Sequence, residues 1–141
     1  MPGYSGTPLA KKLGIKENAR AVLLHVPDDV KSELEDAFSK CRIERGNIKN
    51  SSDLDFIFFF AKSRAGLHLE LSSAAKALAP AGMLWISWPK KTSGVITDLT
   101  GDLVRQAGLD AGLVDVKVCA VTEVWSGLKF VIPLKKRNAR R

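Results

Sequence analysis

Ala81 to Asp98 reads AGMLWISWPKKTSGVITD, and the order of its parts decides the fold. Met83 to Ser87 is a short, nearly all-apolar run with strand character. Trp88-Pro89-Lys90-Lys91-Thr92-Ser93-Gly94 follows at once, polar, basic and unable to continue it, and Thr97-Asp98 then opens a helix. A buried strand thus delivers a cationic loop to the surface. In an open α/β sheet, ligands sit at the ends of central strands, so this loop is the first candidate site.

Upstream, Asp55 to Ala61 (DFIFFFA) is the most strand-like run in the chain. It is continuous rather than alternating, so both its faces are expected to be covered, which places it at the centre of a sheet. Asp55 reads as a water-exposed residue at the start of that strand. Ser63 caps the helix that follows, in which Leu67, Leu71, Ala74, Ala75 and Leu78 mark one face, and Pro80 and Gly82 end it. Ala21 to Val26 (AVLLHV) is a second buried strand, and Pro27-Asp28-Asp29 starts a helix running to about Phe38, with Val30, Leu34, Ala37 and Phe38 at helical spacing. Arg42 to Arg45 is a short edge strand and Gly46 to Ser52 a polar loop. At the start of the chain, Thr7 as cap, Pro8 at the first helical position and Gly14 past the end define a short helix. Its Leu9 and Leu13 dock on the core while Lys11 and Lys12 point outward.

Downstream, Leu99, Leu103, Val104, Ala107 and Leu113 give the helix after Thr97 an apolar side, although Gly101 and Gly108 weaken it. Val114 to Val121 and Val124 to Leu134 alternate around Thr122-Glu123, an antiparallel hairpin. Strands alternating with helices and closed by a hairpin specify a three-layer α/β sandwich with a mostly parallel sheet. The expected organisation is an N-terminal arm over 1–20, one α/β domain over 21–134 and a basic, disordered tail over 135–141.

At 141 residues the chain suffices for one domain without disulfide staples. Cys41 and Cys119 match no metal-ligand spacing and read as buried, inert thiols of a reducing compartment. The formal charge is +7, but Lys135 to Arg141 holds five cations and no acid, which leaves a net +2 on the rest. That tail reads as a solvated end, with non-specific nucleic-acid binding as the alternative. No apolar run reaches the length of a membrane span and no signal peptide is evident, so the expected location is cytoplasmic, with no membrane partner.

The candidate site combines two loops. Lys62, Ser63 and Arg64 leave one central strand, and Trp88, Lys90, Lys91, Thr92 and Ser93 leave the next, which sets four cations on one rim. Such a rim suits a phosphate or carboxylate, with helix N-termini at Arg64 and Thr97 adding N–H donors and Trp88 available to stack a base. The competing reading is that these cations are only solvated and that Trp85 or Trp88 is core. His25, inside a strand, reads as a core histidine with one satisfied nitrogen. In Trp125-Ser126-Gly127, the glycine reads as a bulge or a close backbone contact rather than a pocket border. No serine sits in a nucleophile elbow, His25 and His68 lack ligand spacing, and no carboxylate pair is poised as acid and base. The turn after the first strand, Val26 to Asp29, offers a proline without an N–H and two carboxylates where a nucleotide usually meets glycines, so no cofactor is expected.

The succession of a helix, Leu78-Ala79-Pro80-Ala81-Gly82, strand, loop, helix, Gly112-Leu113-Val114 and hairpin resembles the second half of the class I methyltransferases, over roughly Phe56 to Leu134. That resemblance implies a Rossmann-like, methyltransferase-like fold. In that family a glycine-rich motif after the first strand holds S-adenosylmethionine, and Val26 to Asp29 do not carry it. Tyr4 to Ile15 (YSGTPLAKKLGI), Trp88-Pro89-Lys90-Lys91 with Thr97-Asp98-Leu99, and Gly112 to Val121 (GLVDVKVCAV) are similar to a family of small bacterial proteins known only as a domain of unknown function. This second resemblance implies a bacterial origin and supplies no active site. The expected function is a non-catalytic module that binds an anionic small molecule or a protein partner at the basic rim. The alternatives are a divergent S-adenosylmethionine-dependent methyltransferase, and a nucleic-acid-binding protein acting through Lys135 to Arg141 and the basic loops.

Overall fold

The computed structural model describes residues 8–138. Thr7, the residues before it, and the end of the basic tail including Arg140 and Arg141 lie outside the described residues. Strands β1 (Arg20–Leu24), β2 (Arg42–Ile43), β3 (Leu54–Phe60), β4 (Leu78–Pro89), β5 (Val114–Ala120) and β6 (Trp125–Val131) form one sheet in the order β2-β1-β3-β4-β6-β5. The pairs β1–β2, β1–β3 and β3–β4 are parallel. Pairs β4–β6 and β5–β6 are antiparallel, so a mixed α/β, Rossmann-like sheet is closed by the C-terminal hairpin.

β3 shows why its apolar run is unbroken. Phe56, Phe58 and Phe60 pack into one layer, with α1 (Leu9–Leu13), α2 (Asp28–Glu33) and α3 (Glu35–Ser39) supplying Leu9, Leu13, Val30 and Phe38. Ile57 and Phe59 pack into the other, against Leu67 and Leu71 of α4 (Arg64–Ala77) and Val104 and Ala107 of α5 (Gly101–Asp110). Each Val, Leu, Ile or Phe side chain among these, fully buried, contributes roughly 1.5–3 kcal/mol. Helix α1 is pinned to the sheet by the Trp85 indole N–H, which donates to the Leu13 carbonyl at 2.8 Å. Lys12, expected to point outward, instead donates to the Ala120 carbonyl at 3.1 Å. Gly14, at φ 75°, is the left-handed residue that ends α1, as its position predicts, while Pro8 is the cap rather than the first helical residue.

Several boundaries differ from the sequence reading, each for a local reason. The helix expected over Pro27 to Phe38 breaks at Leu34 (φ −101°, ψ 11°) into α2 and α3, and the break keeps Val30, Leu34 and Phe38 all buried. Helix α4 runs directly into β4: Leu78 already pairs with Leu54, so Pro80 and Gly82 lie inside the strand. A register shift between Leu54 and Phe56 absorbs Ala79 to Gly82, and Gly82 packs against the Leu54 carbonyl where a Cβ has no room. At its other end β4 continues through Trp88 and Pro89, paired with Ser126 and Trp125. A proline at the last strand position gives up only a terminal N–H. Helix α5 starts three residues later than the Thr97-Asp98 pair, capped by Thr100 Oγ1, which accepts the Leu103 N–H at 3.2 Å. Leu134–Lys136 form a 3-10 turn, and the Arg137 Nε–H donates to the Ile132 carbonyl at 2.9 Å. No helix among the described residues is long and apolar enough to cross a membrane.

Candidate functional site

From β1 the chain crosses to β2 on one side, and from β3 it crosses to β4 on the other. The connections therefore diverge beyond the carboxyl ends of β1 and β3, which is where an open α/β sheet leaves a crevice. A cavity of about 550 Å³ lies there, walled by His25 and Pro27 from the turn after β1, Phe60 and Lys62 from the end of β3, Leu69 from α4 and Trp125 from the start of β6. Trp125 reaches it because β6 is antiparallel and starts beside Pro89, where β4 ends. The Phe60 and Trp125 rings meet edge to face, with centroids 4.8 Å apart, and both are packed into the core beneath the opening. Leu69 is 78% exposed, an apolar lip on the opening.

His25 differs from its expectation. The strand ends at Leu24, and His25 turns out of it at φ 57°, a left-handed conformation in which histidine is among the more tolerant side chains. The imidazole is exposed rather than core, and its Nε2 lies 2.8 Å from Glu70 Oε2 on α4. A carboxylate that fixes a histidine's orientation at a cavity mouth is an arrangement suited to proton transfer or to hydrogen bonding a polar ligand.

The two loops of the basic rim do meet. Thr97 Oγ1 donates to the Lys62 carbonyl at 2.6 Å, and Asp98 Oδ1 accepts the Arg64 N–H at 2.8 Å. The same contacts change its chemistry. Ser63 Oγ accepts the Gly66 N–H at 3.0 Å and Thr97 Oγ1 accepts that of Leu99 at 3.1 Å, so the donors expected to face a ligand are engaged by the chain's own side chains. Asp98 adds a carboxylate to the rim. Trp88 is 8% exposed and packed with Leu99 and Val104, buried in the core rather than free to stack a base. Ser93 Oγ donates to the Lys90 carbonyl at 2.7 Å and accepts the Val95 N–H at 3.2 Å within its own turn. Lys91 and Thr92 are exposed, and Lys90 is tied by its N–H to the Val124 carbonyl at 2.8 Å. Of the eight residues singled out in the sequence, Lys62 is the one that lines the crevice.

His25, Glu70, Phe60 and Trp125 are the residues that sequence reasoning missed as a group. Gly127 behaves as expected: a Cβ there would sit 2.9 Å from Val121 Cγ2 and 3.3 Å from Trp85 Cε3, a close contact rather than an opening. A second cavity, of about 530 Å³, lies beside β1 and β2, bordered by Lys31, Glu35, Phe38 and Glu44. The Glu44 carboxylate there is held by Arg20, at 2.7 Å.

No protein-family model and no curated protein matches the sequence, so the similarity to a small bacterial family rests on the quoted segments alone. Solved structures do match. A TehB-like S-adenosylmethionine-dependent methyltransferase from Corynebacterium glutamicum is 13% identical, over 92% of this chain and 90% of its own, with a TM-score of 0.55. The magnesium protoporphyrin IX methyltransferase of Synechocystis, with bound S-adenosylhomocysteine, is 10% identical over 88% of this chain and 78% of its own, with a TM-score of 0.58. A glycopeptide N-methyltransferase complexed with S-adenosylmethionine is 11% identical over 88% and 91%, with a TM-score of 0.57. At these identities the likeness is one of fold: the chain has the α/β fold of the class I methyltransferases.

Proposed function

We propose that the protein is a small-molecule-binding domain built on a methyltransferase-type sheet. Its ligand is of nucleoside size with an anionic end, seated in the crevice between His25 and Trp125. The observation that carries this reading is the place and lining of the cavity: it opens where the strand connections diverge, with an apolar floor at Phe60 and Trp125, an exposed apolar lip at Leu69 and Lys62 for a negative group. Of the rim, Lys62 serves the ligand directly, and Lys90 and Lys91 add long-range attraction. Free thiols at Cys41 and Cys119 accord with a cytoplasmic setting.

The fold favours a second reading, a divergent S-adenosylmethionine-dependent methyltransferase, and it favours it more directly than it does a purely non-catalytic role, since the solved structures it resembles include methyltransferases with that cofactor or its product bound. The residues after β1 do not fit the cofactor in the way that needs bare backbone. Pro27 stands as the cap of α2 with no N–H to donate, and exposed Asp28 and Asp29 follow it. Glu44, just past β2, is a natural partner for ribose hydroxyls but is engaged by Arg20.

Calorimetric titration with S-adenosylhomocysteine and, separately, adenosine monophosphate tests both readings. The first predicts binding of the monophosphate that falls at least tenfold in Lys62→Ala and in Leu69→Glu, two exposed positions whose replacement leaves the fold intact. Preferential binding of S-adenosylhomocysteine would transfer the case to the methyltransferase. If neither ligand binds, the crevice is not a nucleoside site.

A further inference from the structure

A different face of the molecule gathers lysines that lie far apart in the chain. Trp85, Lys129 and Lys117 are direct partners across β4, β6 and β5. Neighbours in such a row project from the same side of a sheet, and Trp85 projects towards α1, where its indole meets Leu13. The lysines follow it: Lys117 Nζ donates to the Lys12 carbonyl at 2.9 Å, and Lys12 Nζ donates to that of Ala120. Lys16, just past α1, borders the same recess as Met83, which lies two residues before Trp85 on β4 and so on the same face of the sheet. Burial, then Lys117, then Lys16 push the Lys129 ammonium below the usual lysine range. Among the described residues, the ion pairs leave out Lys16, Lys117 and Lys129.

A solvated edge accounts for part of this arrangement only. Lys117 lies on the edge strand β5, where a lysine discourages pairing with another sheet. Lys129 is on β6, an interior strand, half-buried and directly opposite Lys117. Like charges set opposite one another weaken an antiparallel pair, and nothing in the packing of β6 calls for an ammonium there. Two of the four chains are held in place by backbone carbonyls, so their charges stand ordered before any ligand arrives.

We infer that Lys12, Lys16, Lys117 and Lys129 form a binding site for a ligand carrying clustered phosphate groups. The site is separate from the crevice, whose walls include none of these residues. The aromatic residue in the row, Trp85, is fully buried, so the site reads phosphate charge and not a base. Two sources carry that chemistry, a free polyphosphate compound and the backbone of a nucleic acid.

The test uses the full chain at low salt with two probes, inorganic tripolyphosphate and a labelled twelve-nucleotide single strand. In Lys16→Gln/Lys129→Gln, affinity for the bound probe should fall at least tenfold while the melting temperature holds or rises, because a repulsion has been removed. Lys16→Glu, changed at an exposed position, should lose affinity in the same direction and guards against a packing artefact at Lys129. Deleting residues 135–141 should change binding by less than twofold. Tight, lysine-dependent binding of tripolyphosphate identifies a free polyphosphate; lysine-dependent binding of the oligonucleotide alone identifies nucleic acid. Unchanged affinity in both lysine variants, loss of binding only on removing the tail, or no binding of either probe by the native chain would overturn the inference.

Discussion

Replacing Gly108 by alanine should destabilise the protein, against the ordinary expectation for a helix. In a solvated helix interior, Gly→Ala stabilises by about 0.8–1 kcal/mol. Gly108 lies in α5 (Gly101–Asp110) and is buried against the Phe130 ring of β6. An added Cβ would fall within contact of Phe130 Cε1 and 2.5 Å from both Cδ1 and Cζ. Carbon atoms rest at about 3.5–4.0 Å, so either the ring or the helix must give way by more than about 1 Å. Phe130 is fully buried and is a stiff ring, not the end of a flexible chain. Overpacking of this kind costs about 1–3 kcal/mol, occasionally more, and here it falls towards the upper end. Set against the propensity gain, the net loss is about 1–2 kcal/mol, a fall in melting temperature of about 3–8 °C for a domain of this size. Thermal unfolding followed by circular dichroism reads it, and Gly108→Ala/Phe130→Leu should recover part of the loss. A Gly108→Ala protein at least as stable as the native one would refute the reasoning and mean that α5 stands further from the sheet.

Asp98 offers a test of how the rim is held. Asp98→Ala removes the acceptor of the Arg64 N–H and should cost about 0.5–2 kcal/mol in urea unfolding, as the loss of a helix cap does, whereas Asp98→Asn should retain most of that stability. Equal stability in all three proteins would show that the two loops are held by other contacts. Lys129 makes a prediction in pH. Its ammonium titrates lower when folded than when unfolded, so between those two values the unfolded chain binds more protons and stability rises with pH. Burial raises the Cys41 and Cys119 thiols, whose contribution has the opposite sign and is lost as pH climbs above the usual cysteine range. The difference between native protein and Lys129→Gln cancels the thiols, and the advantage of the variant should shrink as alkaline pH is approached; an advantage constant with pH would contradict it.

Local patterns carried most of the fold. The continuous run Asp55 to Ala61 announces a strand covered on both faces, and in β3 that is how Phe56, Phe58 and Phe60 on one side and Ile57 and Phe59 on the other are disposed. The Ser63 cap and the Gly14 stop were legible for the same reason, since each acts within four residues of itself. Failures came where a distant partner overrides a local rule. Pro89 reads as a terminator, yet pairing with Trp125 carries β4 through it and takes Trp88 into the core. Thr97 and Asp98 read as a helix start, yet their side chains are engaged by Lys62 and Arg64. The His25–Glu70 pair joins residues 45 apart, and no window of sequence contains both.

Charge shows the same limit, with a consequence for where an anion binds. Counted along the chain, cations concentrate in runs, Lys90-Lys91 and the stretch after Leu134, and those runs draw the eye. A run of like charges, however, is comfortable in water and needs no ligand. What singles out a binding surface is charge that the fold holds together without an opposing group. At the rim, Asp98 stands among the cations and the helix N–H groups are already engaged. On the face beneath α1, Lys117 opposes Lys129 on adjacent strands, Lys16 adds to them, and none of the three has an ion pair among the described residues. A multiply charged anion relieves that repulsion on binding, so it should gain more there than at the rim. Added tripolyphosphate should therefore raise the melting temperature of the native protein more than that of Lys16→Gln/Lys129→Gln, and by the same amount in Lys90→Gln/Lys91→Gln as in the native chain. The reverse pattern would return the anion to the rim.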